Sequence, residues 1–403
     1  MFKWLSQFVP GHRRIYLDAA STTPVRPEVL SAMLPYFSDT FGNPGALYRE
    51  GVHAAAALKE ARIRAARALS VRGEEITFTS GGTEANNLAV LGFVRAELAQ
   101  GKKPGDIHVI STAIEHSSVA VPLKELEKEG VRVGYVPINR DGLIDLSELR
   151  KLLTPQTRLI SIHLVNNEIG VIQPLRDVAR LLDEKYRKGE RPVLHTDASQ
   201  APLFLNCAPE RLRVDLMTLD GQKIYGPKGV GLLVHRRNIT LMPTIYGGGQ
   251  EQGLRSGTEP VPLIVGLAVA LAHAVSERQV VTERVRGLRD RFLRELLHRL
   301  PQAELNGSAK ERIANNVNIS IPGVDTEFLV LHLDKAGIAV STKSTCLSDE
   351  PQSYTVAALG KGPEYANSTL RITLHLHTTW RELARALDVL VHTVEKLKNL
   401  DRR

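Results

Sequence analysis

The sequence predicts an α/β fold. A large domain with a mostly parallel seven-stranded sheet sandwiched by helices is followed by a smaller α+β domain. Three observations predict it. Apolar runs at 75–79, 107–111, 131–137, 157–165, 192–196, 215–219 and 229–234 alternate with helix-like stretches, the pattern of strands joined by crossover helices. After Gly247-Gly248-Gly249 the character changes to a long helical region and short, separated strands. At 403 residues the chain is long enough to bury a large core, and two domains are expected.

Taken in order, the segment 1–15 is expected to complete the smaller domain, with 16–260 forming the larger one and 261–403 the rest of the smaller. Within the larger domain the intervening helices fall at 84–99, 118–129, 146–153 and 175–186. The smaller domain has a helix over 261–299, strands near 316–320, 339–341 and 370–376, and a last helix near 381–397. No repeat or low-complexity tract interrupts this order.

Composition excludes several classes. Apolar and charged fractions of 43% and 24% are ordinary for a soluble globular protein. No run of about twenty apolar residues occurs, so no membrane span is expected. Residues Met1 to Pro10 are too short for a secretory signal, and two cysteines, Cys207 and Cys346, make no disulfide framework, so the cytoplasm is the expected compartment. The net charge of +8 is scattered over helix-like segments such as 59–67 and 284–294. That reads as solvated helix faces; no direct nucleic-acid binding is expected, and no metal site.

The chemistry is organised around Asp220-Gly221-Gln222-Lys223-Ile224-Tyr225-Gly226-Pro227-Lys228-Gly229. Apolar runs enter and leave it, so Lys223 sits on a tight loop between strands. A lysine held there loses water, which lowers its pKa and frees its amine for Schiff-base chemistry. Taken alone, a lysine of this kind is far more often a solvated loop lysine.

Its company narrows the choice. Ser80-Gly81-Gly82-Thr83-Glu84 follows a strand and opens a helix, where free N–H groups and the dipole favour an anion, although Thr83 is also a good helix cap. Glu115-His116 lies past the second strand, where a ring could stack on a flat cofactor. Asn166-Asn167-Glu168 and His195-Thr196-Asp197-Ala198-Ser199-Gln200 end two more strands. An aspartate facing a pyridine nitrogen keeps it protonated and makes the ring an electron sink. Phosphate cradle, ring stacker, pyridinium partner and lysine, all at strand ends of one sheet, point to a pyridoxal 5'-phosphate site.

In the second half, Ser341-Thr342-Lys343-Ser344-Thr345-Cys346 is a small polar loop, which suits an exposed, reactive cysteine. Cys207, beside Leu203 to Leu205, suits the buried and inert kind. Arg371 is a candidate for bidentate recognition of a carboxylate, or else an ordinary ion pair.

In these motifs the chain resembles cysteine desulfurases of the NifS/IscS type, within the fold-type I, class V aminotransferase superfamily. The resemblance runs over nearly the whole chain, from Tyr16-Leu17-Asp18 through Phe41-Gly42-Asn43-Pro44 and Val165-Asn166-Asn167-Glu168-Ile169-Gly170 to Arg255-Ser256-Gly257-Thr258. It implies that Lys223 bonds the cofactor, Asp197 pairs with the pyridinium nitrogen and Gln200 meets the ring hydroxyl. His116 would stack on the ring and assist proton transfer. Gly82 and Thr83 would hold the phosphate, with Thr258 arriving from the neighbouring subunit of a homodimer. Asn167 and Arg371 would bind the carboxylate of L-cysteine. Cys346 would take its sulfur as a persulfide, leave L-alanine, and pass the sulfur to a scaffold or carrier protein. A selenocysteine lyase or related class V lyase could use the same site.

Three positions depart from the family's pattern. Asp220 and Gln222 stand where a serine and a histidine usually serve the phosphate, and Lys343 stands where the loop usually has glycine. A carboxylate about 4 Å from a phosphate, at an effective dielectric of about 20, costs on the order of 4 kcal/mol. Asp220 therefore turns away, is protonated, or meets a cation; if none of these, the chain is a non-catalytic interaction homologue with impaired cofactor binding. Lys343, three residues before Cys346, would lower the thiol's pKa.

Overall fold

The computed structural model describes residues 14–187, 189–342 and 352–400. Its strands are β1 (Ile15–Tyr16), β2 (Ile76–Thr79), β3 (His108–Thr112), β4 (Arg132–Val136), β5 (Thr157–Ser161), β6 (Val193–Asp197), β7 (Leu216–Asp220), β8 (Gly231–His235), β9 (Glu304–Leu305), β10 (Asn316–Ser320), β11 (Ile338–Ala339) and β12 (Thr369–Thr373). The large sheet has the order β2-β8-β7-β6-β5-β3-β4. β8 is antiparallel to both its neighbours, and every other pairing is parallel. All strands but β8 therefore run one way and present their carboxyl ends at one edge.

The apolar runs are continuous because both faces of this sheet are covered. Ile110, Ile160 and Leu194 belong to one apolar cluster, while their chain neighbours Val109, Leu159 and Val193 belong to another across the sheet. The first cluster also takes the amino-terminal half of the helix Val261–Arg299, whose Ile264, Leu267 and Leu271 are fully buried. There it packs with Val29 and Met33 of the helix Pro27–Met33 and with Ala61 and Ala65 of Arg49–Leu69. The helix is long and apolar enough to cross a membrane, yet half of its apolar window is buried inside the protein.

The carboxy-terminal part forms a β12-β10-β9 antiparallel sheet, and β1 pairs in parallel with β11. A buried guanidinium joins this part to the large sheet. Arg312 donates to the carbonyls of Ser308, Asn306 and Ile169 and to Asn316 Oδ1. Gly170 makes the same junction possible. Its φ is 71°, and a Cβ there would lie 2.5 Å from the Asn316 side chain.

Boundaries shift by a few residues from the sequence expectation, and two of the shifts bear on the site. The run expected as a strand over 157–165 leaves the ladder after Ser161, although Leu164 N–H still donates to Asp197 O at 2.9 Å. The helix expected over 84–99 begins at Gly82, with Gly81 and not Thr83 in the capping position, and carries a π segment at Leu88–Gly92. A Cβ on Gly92 would lie 2.6 Å from Met242 O, so the crossing chain needs a glycine there.

Cys207 is in the core, as expected, and burial pushes its thiol up to about 12. In a Cys346→Ala variant, a thiol reagent near neutral pH should label nothing until the protein is unfolded; rapid labelling of the native protein would overturn this placement of Cys207.

His195 lies under the functional edge of the sheet, with Nδ1 2.8 Å from Ser161 Oγ and Nε2 3.2 Å from Thr218 Oγ1. Burial pulls it down to about 4, whereas an unfolded chain takes up the proton near 6.5. Protons then bind the unfolded state first, so stability falls as pH drops from about 6.5 to about 4, by up to about 3 kcal/mol. His195→Gln should lose less stability than the wild type between about pH 7 and about pH 5 in urea unfolding; equal losses would assign the acid sensitivity elsewhere.

Candidate functional site

The carboxyl ends of β2, β3, β5, β6 and β7 open into one cavity of about 420 Å³. Ligands of open α/β sheets occupy this position, because helix amino ends and irregular polar backbone collect there. Gly82, Thr83, His116, Asn167, Asp197, Gln200, Asp220, Gln222, Lys223 and Arg371 all line it. Thr258 does not line it. Cys346 and Lys343 lie outside the described residues.

Asp197 ends β6, and both its oxygens are held. Oδ1 accepts Ser199 N–H at 2.9 Å and Oδ2 accepts Asn86 Nδ2–H at 2.8 Å. Burial alone would raise its pKa. The donors on Ser199 and Asn86 and the nearby His116 outweigh burial and hold the carboxyl below its usual range. An anion is thus fixed at the cavity floor.

Asn86 also donates to Ser118 Oγ at 2.8 Å, and Ser118 Oγ lies 2.8 Å from His116 Nδ1. His116 is the cap residue of the helix Ser117–Lys128, where its Nδ1 accepts Ser118 N–H at 3.2 Å. An Nδ1 that accepts an amide carries no proton, so in the neutral ring the proton sits on Nε2.

Lys223 ends the turn Gly221–Lys223 after β7. Its Nζ donates to Ala20 O at 2.8 Å and Ser21 O at 2.5 Å, and Gln200 Nε2 donates to the same Ala20 carbonyl at 3.0 Å. Thr23 stitches the two loops together. Its N–H and its hydroxyl both donate to Gln222 O, at 2.9 and 2.8 Å, while Thr23 Oγ1 accepts Tyr225 N–H at 2.8 Å. The bend after Lys223 puts Tyr225 at φ 63°, which costs a non-glycine residue about 1 kcal/mol. Gly226 completes it, because a Cβ there would lie 2.8 Å from Gly221 O.

Arg371, on β12, is 2% exposed. Nη1 donates to Asn167 O at 3.0 Å, and Nη2 to Asp18 Oδ1 at 2.9 Å and Ser21 Oγ at 2.7 Å. A guanidinium facing a small polar cavity suits a substrate carboxylate, which would share it with Asp18.

The anion-binding end is the glycine loop after β2. The start of β8 crosses so close that a Cβ on Gly231 would lie 2.6 Å from Gly81 C. A Cβ on Gly82 would lie 3.3 Å from Ser199 Oγ and from Asp220 Oδ2, so these three residues form a closely packed cup at that end of the cavity. Ser199 Oγ is buried and makes no hydrogen bond of normal geometry among the described residues. Asp220, 8% exposed, faces the same cup instead of turning away. Its Oδ2 accepts Gly82 N–H at 3.3 Å and Gln222 Nε2–H at 3.2 Å, and its Oδ1 accepts Gln222 N–H at 3.1 Å. It forms no ion pair among the described residues.

Sequence reasoning missed Asn86, Ser118, Ser199, Ser21 and Lys228 as parts of this cavity or its hydrogen-bond network. Lys228 stood in the central motif and Ser199 beside Asp197, so proximity could have flagged both. Asn86 lies inside a helix, and nothing in its residue type says that it faces inward.

Comparison with known proteins shows the family. The model of the aminotransferase class-V family matches residues 15–385. Cysteine desulfurase IscS of Dictyoglomus turgidum is 40% identical over 390 residues, covering 96% of each chain. Cysteine desulfurase IscS 1 of Archaeoglobus fulgidus is 39% identical over 386 residues, covering 96% of this chain and 98% of that one. Among solved structures, a NifS-like protein superposes with a TM-score of 0.88 at 33% identity, covering 96% of this chain and all of its own. SspA in complex with cysteine superposes at 0.77, also at 33% identity, covering 91% of this chain and all of its own. With its polar strand ends gathered on one sheet edge and this likeness along nearly its whole length, the chain belongs to the class-V aminotransferase family, among its NifS- and IscS-type cysteine desulfurases.

Proposed function

We propose that the chain uses pyridoxal phosphate to remove sulfur from L-cysteine, releasing L-alanine and leaving a persulfide on Cys346. One observation carries this reading: Lys223, Asp197 and Arg371 share one small cavity, the first with its amine at the mouth of a tight loop, the second a fixed anion, the third a buried guanidinium. These residues fit the cofactor's ring. Gly82, Thr83 and Ser199 line the end of the cavity where a phosphate would be held, and the Asp220 carboxylate beside them is the one group there that does not suit it.

Pyridoxal phosphate, when bound, supplies an aldehyde for an amine and a ring that accepts the electrons of a broken Cα–H bond. Asp197 would hold a proton at the ring nitrogen, because its anion is already fixed by Asn86 and Ser199. Gln200 would meet the ring hydroxyl, and His116, in the same lining, would offer its Nε2 proton for transfer. Lys223 Nζ would hold the cofactor and act as the base for the Cα proton of the substrate. Arg371 grips the substrate carboxylate and so sets which Cα bond is broken. The Cys346 thiolate takes the sulfur atom, and the carbon skeleton leaves as alanine. The persulfide then passes to a scaffold or carrier protein.

The same reading makes the protein a cytoplasmic homodimer in which Thr258 reaches the phosphate cup of the partner subunit. It also divides the chain at about residue 260, with β1 joining the later part through β11.

The test is alanine released from L-cysteine, with pyridoxal phosphate saturating and a thiol reductant present. The wild type should produce it, and Cys346→Ala and Lys223→Ala should not. No alanine from a folded, yellow protein would turn the reading to another substrate, selenocysteine first; a colourless protein would favour the non-catalytic homologue. Arg371→Ala should raise KM for L-cysteine by about 10- to 100-fold, the loss of roughly 1.5–3 kcal/mol from a charged hydrogen bond. An unchanged KM would remove Arg371 from carboxylate binding.

A further inference from the structure

We propose that His163 is a further contact residue of the cavity, whose Nε2 takes its hydrogen-bond partner from the polar edge of the cofactor's ring. The inference rests on the pyridoxal phosphate reading above and adds a residue that belongs to none of the motifs behind it.

His163 follows β5 and lines the cavity, although only 4% of it is exposed. Its backbone N–H donates to the Glu115 carboxylate, 3.2 Å from Oε1 and 3.1 Å from Oε2, and Thr112 Oγ1–H donates to Oε1 at 2.8 Å. The imidazole folds back over the same carboxylate. Nδ1 lies 2.9 Å from Glu115 Oε1 but without the alignment of a hydrogen bond, and Nε2 is buried with no partner among the described residues. The imidazoles buried within the strands are engaged. His195 bonds through both nitrogens, His108 through Nδ1 to Thr157 Oγ1 at 2.9 Å, and His235 through Nε2 to Thr77 Oγ1 at 3.2 Å. None of those three lines the cavity. A buried polar atom without a partner destabilises a fold, and one at a cavity wall is satisfied when a ligand brings the partner in.

The order of strands decides which part of the ligand His163 meets. β5 lies between β6 and β3, so His163 has Asp197 on one side and Glu115, the residue before His116, on the other. Leu164 N–H donates to Asp197 O at 2.9 Å, which ties the two strand ends together. Asp220 ends β7, on the opposite side of β6, and its Oδ2 accepts Gly82 N–H. At about 4.8 Å between neighbouring strands, β5 and β7 are roughly 10 Å apart. His163 therefore stands at the ring end of the cavity, beside the ring-nitrogen partner and the stacking histidine, and away from the glycine loop. An imidazole nitrogen donates or accepts according to its tautomer, so it can match either kind of group on the ring's edge.

The experiment titrates the cofactor-free protein with two probes, pyridoxal phosphate and pyridoxal, and follows the absorbance of the Lys223 adduct. Both probes carry the ring, and only one carries a phosphate. The variants are His163→Gln and His163→Asn. A glutamine amide reaches as far as the Nε2 of histidine, on the cavity side, whereas an asparagine amide reaches only as far as Nδ1, on the Glu115 side. His163→Asn should raise the dissociation constants of both probes by the same factor, about three- to tenfold, the loss of one hydrogen bond. His163→Gln should restore both to within about twofold of the wild type. His163→Leu, which fills the space without a nitrogen, repeats the comparison if the asparagine variant does not fold. Unchanged constants in His163→Asn overturn the proposal. So does a loss that His163→Gln fails to restore, which would make the residue a purely structural neighbour of Glu115. A loss confined to pyridoxal phosphate overturns it as well, by moving the contact to the phosphate end. Failure of the wild type to bind either probe removes the cofactor reading itself, and the proposal with it.

Discussion

A half-buried anion organises the functional edge of this sheet. Asp197 ends β6 at the cavity lining, and a carboxylate that gives up much of its hydration there needs donors to stay charged. Its two donors come from different places. Ser199 is two residues along its own turn, but Asn86 projects from the helix that follows the glycine loop. Fixing the anion therefore fixes the position of that helix over the sheet. Asn86 in turn reaches Ser118, and Ser118 sets the tautomer of His116. Asp197, the helix after the glycine loop and the His116 ring are held in register by one amide side chain.

The second half of the constraint is the loop around Lys223. The turn after β7 contains a left-handed tyrosine and a glycine with no room for a side chain, so it would not hold its shape alone. Thr23 supplies the missing bonds, from a segment two hundred residues earlier that also carries the Ala20 and Ser21 carbonyls and the Asp18 partner of Arg371. Lysine and guanidinium are thus positioned by the same short stretch. A shift of that stretch would move the Lys223 amine and the Arg371 guanidinium together.

This explains which parts were legible in the sequence. Strands covered on both faces leave continuous apolar runs, so all seven strands of the large sheet, and the edge at which their polar residues gather, could be read directly. Lys223, Asp197, His116 and Gly82 follow those runs within a few residues. The strand over 157–165 was drawn too long because the chain stays extended beyond Ser161 while leaving the ladder, and hydrophobicity does not register that change. Asn86 was not legible, because helical asparagines are usually solvated and its inward face depends on a strand more than a hundred residues away. Asp18 was noticed only as part of a motif; its role as the counter-ion of Arg371 is a contact across the whole length of the chain.

Asp220 and Gln222 illustrate a different limit. From sequence they are two separate departures, each unfavourable to a phosphate. In the fold they bond to one another, and the aspartate takes the Gly82 N–H. A cup that contains its own carboxylate starts with the Gly82 N–H and both Gln222 donors already engaged. An entering phosphate must exchange for those hydrogen bonds instead of simply making new ones, and it meets a repulsion on the order of 4 kcal/mol if both groups keep their charge.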